Sequence, residues 1–120
     1  MAQIVTYKDL IVWQRAMELV VAIYELTECF PNTERYGLSS QMRRAAVSIP
    51  SNIAEGRRRG GRKEYRYFLV IAYGSGAELE TQLEIAKKLS FSGDSEFTKS
   101  EMLLGEVMRM LNKVLSTLRT

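Results

Sequence analysis

Leu10-Ile11-Val12-Trp13-Gln14-Arg15-Ala16-Met17-Glu18-Leu19-Val20-Val21-Ala22-Ile23-Tyr24-Glu25-Leu26 decides the fold. Its apolar residues fall on two seams, each advancing in steps of three and four. Leu10, Trp13, Met17, Val20 and Tyr24 form one; Val12, Ala16, Leu19, Ile23, Leu26 and Phe30 form the other. That rhythm is the 3.6-residue period of an α-helix. One seam suffices to seat a helix in an isolated bundle. Two seams predict a helix covered over most of its circumference. It should run from about Tyr7 to Cys29, with Thr6 as N-cap and Asp9 in the first turn, where the helix dipole favours an acid. Pro31-Asn32 stops it.

Three more helices follow. The second is predicted over about Ser39 to Arg58, with Met42, Ala45/Ala46, Ile49 and Ile53 as its buried stripe. Pro50 lies inside it, removes one backbone donor and should kink it. Ser48 and Asn52 flank the proline and could satisfy the freed carbonyls. Gly56 and Gly60-Gly61 are natural endings. The third helix spans about Arg62 to Leu89, with Tyr65, Leu69, Ala72, Gly76, Leu79, Leu83 and Ala86 in register. Gly74 and Gly76 each cost about 1 kcal/mol against alanine; Ala72 and Gly76 offset this if a neighbouring backbone comes close. A turn at Ser92-Gly93-Asp94 precedes the fourth, from about Glu96 to Leu118, whose seam is Leu104, Val107, Leu111, Val114 and Leu118. No segment alternates with period two long enough for a sheet. Short connections favour a single all-α domain over residues 1–120, an antiparallel up-down-up-down four-helix bundle.

Composition agrees with that class. A chain of 120 residues that is 46% hydrophobic is long and apolar enough for one real core. No stretch approaches the ~20 apolar residues of a membrane span. The start, Met1-Ala2-Gln3-Ile4-Val5, lacks the basic, apolar and small-residue sequence of a signal peptide. A lone Cys29 fits a reducing cytoplasm. The chain has no histidine, which removes the commonest metal ligand and the commonest general acid/base together.

The functional question centres on Arg57-Arg58-Arg59-Gly60-Gly61-Arg62-Lys63, five cations and two glycines in seven residues. In an up-down bundle, residues 1–17, 52–70 and 107–120 share one end. They carry +1, +4 and +3, which is +8 against −5 for the rest, in a chain of net +3. Arg43 and Arg44 start the second helix, roughly 20 Å away at 1.5 Å per residue. Cations at helix C-termini complement the dipole and explain Arg57, Arg58, Arg59, Lys113 and Arg119. Arg62, Lys63 and Arg66 open the third helix, where cations are disfavoured, and escape that explanation. The cluster is either a solvated hairpin or the seat of an anionic partner. In the second case the glycines also let backbone N–H groups approach phosphates. A membrane surface would need an accompanying exposed amphipathic face, which is missing.

Enzyme readings fail in turn. Gly56-x-x-x-x-Gly61-Arg62-Lys63 has arginine where a phosphate-binding loop needs its lysine, and no strand precedes it. Glu78, Glu80 and Glu84 have no histidine partners for a metal and read as a solvated face paired with Lys87 and Lys88. Cys29 lacks an activating histidine and reads as a buried structural thiol. Neither catalytic nor metal-binding residues nor a cofactor are expected. Glu55 should pair with an arginine of the hairpin. Tyr65 and Phe68 read as core, while Tyr67 could stack on a base.

Tyr7-Lys8-Asp9-Leu10-x-x-Trp13-Gln14-x-Ala16 is followed by Phe30-Pro31 and by Glu34-x-Tyr36-Gly37-Leu38-x-x-Gln41-x-Arg43-Arg44-Ala45. Then come Ser48-Ile49-Pro50-x-Asn52-Ile53-Ala54-Glu55-Gly56 and Glu64-Tyr65-x-x-Phe68-Leu69-x-Ile71-Ala72-x-Gly74-Ser75-x-x-Glu78-Leu79-x-x-Gln82-Leu83. From Tyr7 to about Leu118 the chain resembles the four-helix bundle proteins encoded in intervening sequences of bacterial 23S ribosomal RNA genes. The resemblance implies a homopentamer of antiparallel bundles and brings no catalytic residues. It also implies likeness in architecture to the accessory protein of diversity-generating retroelements, which works with a reverse transcriptase and RNA. The Arg57–Lys63 hairpin is more basic than the small, polar connection usual there.

Cyclic assembly gives the second seam of the first helix a purpose: one closes the bundle and the other packs on a neighbour. Which does which stays open; Val12, Leu19, Ile23 and Leu26 are the candidate interface. The expected nucleic-acid-binding residues are Arg57, Arg58, Arg59, Arg62, Lys63 and Arg66, with RNA or DNA as partner and a reverse transcriptase as a possible protein partner. The alternative is a protein-interaction scaffold with no nucleic-acid role.

Overall fold

Each segment with the three-and-four rhythm is a helix in the computed structural model, which describes residues 5–119. The helices are α1 (Ile11–Glu28), α2 (Leu38–Arg59), α3 (Arg62–Lys88) and α4 (Asp94–Thr117). The reading of Met1–Ile4 lies outside the described residues. Cross-links fix the directions. Arg43, early in α2, donates from Nε to Thr27 Oγ1 near the end of α1 at 2.8 Å. Ser48 and Ser75 meet hydroxyl to hydroxyl at 2.8 Å where α2 and α3 cross at mid-length. Lys87 at the end of α3 reaches Glu101 of α4 at 3.0 Å, and Arg62 at its start reaches the Thr117 carbonyl at 2.8 Å. Neighbouring helices are therefore antiparallel. α2 packs against α1 and α3, and α4 against the same two, so the chain travels round a four-cornered bundle.

The core is the sum of one stripe per helix. Leu19 and Ile23 of α1, Met42, Ile49 and Ile53 of α2, Leu69 and Leu79 of α3, and Phe97, Val107 and Leu111 of α4 are wholly buried. Each such side chain contributes about 1.5–3 kcal/mol by leaving water. The two seams of α1 divide unequally. Val12, Leu19, Ile23 and Leu26 are at most 7% exposed inside this one chain. That corrects their assignment to an oligomer interface, because their contacts are already taken. Met17 and Tyr24 of the other seam remain exposed, while Leu10, Trp13 and Val20 are half-buried.

Sequence and structure differ at four further points. The helix expected from Tyr7 begins at Ile11; Tyr7–Asp9 forms a 3-10 turn instead. Thr6 caps that turn, its hydroxyl accepting from the Lys8 amide, while the Asp9 carboxylate accepts from the Val5 and Thr6 amides at 2.9 and 3.0 Å. This reciprocal capping box closes the turn on itself. Within α2, which runs through Pro50 to Arg59, the difference lies in which carbonyl Asn52 takes. The Asn52 side chain bonds the Ser48 carbonyl at 2.8 Å, not that of Ala46, whose usual amide donor the proline replaces. Gly56 does not end the helix. It is buried where a Cβ would lie 2.8 Å from the Phe68 Cβ, so it lets α2 and α3 touch. Gly76 makes room for the Met108 side chain of α4 and not for a backbone.

Candidate nucleic-acid interface

Only Gly60 and Gly61 separate α2 from α3. Gly60 takes φ 82°, the left-handed conformation that ends a helix and suits glycine. Gly61 is the N-cap of α3, and the Glu64 carboxylate folds back against it. An acid of the chain itself thus sits at the first turn of α3, and ligand chemistry falls to the side chains around the hairpin.

Those side chains fan outward over aromatic supports. The Arg57 guanidinium lies 5.8 Å from the centre of the Tyr65 ring, Arg58 lies 5.8 Å from Tyr7, and Arg59 lies 5.3 Å from Phe68. Such stacking, worth about 0.5–1 kcal/mol at exposed sites, orients a guanidinium without cancelling its charge. Arg59 is also paired with Glu55 at 3.1 Å, the partnership expected for that acid. Arg62 spends one N–H on the Thr117 carbonyl, a neutral partner. Among the described residues, Arg57, Arg58, Arg62, Lys63 and Arg66 have no carboxylate within ion-pair distance. All six predicted cations are exposed at one end of the bundle.

Arg57 and Arg62 flank a cleft of about 530 Å³ walled by Gly56, Gly60, Gly61, Tyr65 and Leu118. Burial pushes the Tyr65 hydroxyl pKa up, and the Arg57 charge opposes that shift. Tyr65 and Phe68 are half-buried, whereas Tyr67 is 63% exposed and meets the Phe68 ring edge-on at 5.1 Å. The sequence pattern put Tyr7 in the first helix and missed it as the support of Arg58, since no apolar period marks the 3-10 turn that presents it.

The rest of the charge inventory is mostly engaged. Arg15 bonds Glu18 at 2.7 Å and Glu106 at 2.8 Å, which neutralises it at the edge of the basic end. Lys87 pairs with Glu101, so Glu84 does not hold it as expected; the Glu101 bond and charge raise its pKa. Cys29 is exposed, correcting its reading as a buried thiol, because α1 ends there and its Sγ reaches only the Glu25 carbonyl at 3.7 Å. Among the described residues, no three Asp, Glu or Cys side chains converge as metal ligands, and no helix is long and apolar enough to cross a membrane.

The four-helix architecture exists elsewhere. Over residues 8–113 the chain matches the profile of a family described as 23S rRNA-intervening sequence protein. The chain belongs to that family. The matched span runs from the 3-10 turn through most of α4 and includes the whole basic hairpin. A crystal structure of a protein with unknown function from the S23 ribosomal protein family of Bacteroides thetaiotaomicron VPI-5482 shares the fold. The two align with a TM-score of 0.78 at 21% identity, over 88% of this chain and 98% of that one. A comparison with curated proteins returned no match. The resemblance drawn from the sequence motifs therefore holds for the family and the four-helix architecture.

Proposed function

We propose that this 23S rRNA-intervening sequence protein is a non-enzymatic, nucleic-acid-binding accessory protein that grips RNA by its backbone through the α2–α3 hairpin. The observation that carries the reading is the fan of Arg57, Arg58, Arg62, Lys63 and Arg66, exposed and without acidic partners. Phosphates supply the charge these groups lack, and the aromatic supports hold the guanidinium planes ready. Tyr67, exposed beside Arg66, offers a ring to an unpaired base.

The protein works as a homo-oligomer, a pentamer by the family resemblance, in the cytoplasm. Support for self-association comes from the uncovered seam of α1, where Met17 and Tyr24 are 41% and 42% exposed. Parallel bundles in a ring bring every basic end to one rim. The rim then attracts RNA strongly at low salt and loses it steeply as salt rises.

Filter binding with structured ribosomal RNA across a salt series tests the proposal. Arg57, Arg58, Arg59, Arg62 and Lys63 changed together to serine should weaken binding and flatten its salt dependence. Unchanged affinity means the hairpin is not the RNA surface. Partners captured equally well after nuclease treatment would favour a protein scaffold instead.

A further inference from the structure

α1 and α2 leave an apolar groove between them, walled by Trp13, Met17, Val20, Val47 and Pro50. Toward the start of α2 it continues past Tyr24 to Arg43 and Arg44. A second open face runs along the outside of α3, where Tyr67, Ile71, Gly74, Glu78 and Ile85 recur in steps of three, four and seven, all exposed. A Cβ on Gly74 would meet nothing within 4 Å, so no packing inside the chain accounts for a mid-helix glycine there.

The two faces share their levels along the bundle. Met17 lies ten residues before Thr27, and ten past its partner Arg43 is Ile53. Ile53 lies five past Ser48, and five before its partner Ser75 is Val70, beside Ile71. The same count places Trp13 level with Arg66, beside Tyr67. Arg44, four before Ser48, is level with Leu79, between Glu78 and Glu80. Among the described residues Arg44, Glu78 and Glu80 form no ion pairs.

We propose that the α1–α2 groove of one copy seats the outer face of α3 of a second copy, head to tail. The proposal rests on the self-association proposed above and adds to it the two faces and their register. Closure by rotation alone has no axial shift, so each residue meets partner residues at its own level. Met17 then packs on Val70 and Ile71, Trp13 on Tyr67, and Arg44 stands opposite Glu78. The faces lie on adjacent sides of the four-cornered bundle, about a right angle apart. Repetition therefore curves and closes with roughly four to six copies instead of running on as a filament.

Light scattering on purified chains tests this. Met17→Glu with Val47→Glu blocks the groove; Ile71→Glu with Ile85→Glu blocks the α3 face. All four positions are exposed, and circular dichroism verifies the helices. Each double variant alone should drop to the single-chain mass of 13.7 kDa. Mixed in equal amounts they retain one intact groove and one intact α3 face between them. The mixture should form a species of twice that mass and nothing larger. A single-chain wild-type protein overturns self-association and this inference together. An assembled wild type whose variants stay assembled alone, or whose mixture stays at single-chain mass, overturns the two faces only.

Discussion

The bundle carries an arginine group at each end, and the two are built differently. At the α1–α2 end, Arg43 is bound to Thr27 and Glu28 and stacks on Tyr24 at 4.6 Å. It staples two helices, and its charge is answered within the chain. At the α2–α3 end, Arg57, Arg58 and Arg62 lean on rings and a carbonyl that leave their charge unanswered. Counting cations would rank the ends by number alone. What separates them is how many oriented charges lack a carboxylate: Arg57, Arg58 and Arg62 at the hairpin end, against Arg35 over Tyr36 at the other.

Substitution should separate the ends sharply. Serine at Arg57, Arg58, Arg59, Arg62 and Lys63 is expected to cost roughly 100-fold or more in RNA affinity at low salt, with little change in the urea midpoint. Next in size is Gly56→Ala, whose added methyl presses on Phe68 and the Tyr65 carbonyl. It should cost about 1–3 kcal/mol in urea unfolding. Arg43→Ala should cost about 1–2 kcal/mol by the same measurement, since its bonds to Thr27 and Glu28 disappear, and leave RNA affinity nearly intact. Equal effects of the Arg43 and hairpin changes on affinity would erase the contrast between the ends.

The smallest effect concerns pH. Backbone donors, Thr6 first and Val5 second, hold the Asp9 carboxyl below its ordinary 3.8. A depressed carboxyl favours the folded turn above the unfolded-state pKa, and that contribution fades as pH falls through the folded-state value. Amide chemical shifts of Thr6 and Val5 should therefore move only below about pH 4. The Tyr7 ring under Arg58 should loosen with them, because Tyr7 lies inside the turn that Asp9 closes.

The four helices were legible because their apolar residues recur at helical steps, and hairpin charge is written directly in the side chains. Allocation of the α1 seams was not. Both have the same period, and the deciding difference lies in packing: the seam with Ala16, Leu19 and Ile23 fits between α2 and α4, while Trp13, Met17 and Tyr24 are left toward the outside. Long-range choices were also hidden. Lys87 takes Glu101 across α3–α4 over Glu84 one turn back, and Arg58 finds Tyr7 half a chain away. Gly56 looked like a stop because glycine ends many helices; here close approach of two helices explains it.

Salt dependence of RNA binding tests the central contrast most directly. The slope of log affinity against log salt should shrink by about 0.7–0.9 for each phosphate that is no longer neutralised. The account predicts a fall of roughly 3.5 to 4.5 units when the five hairpin cations become serine, and almost none when Arg35 and Arg43 do. Equal falls in the two variants, or none in the first, would contradict it.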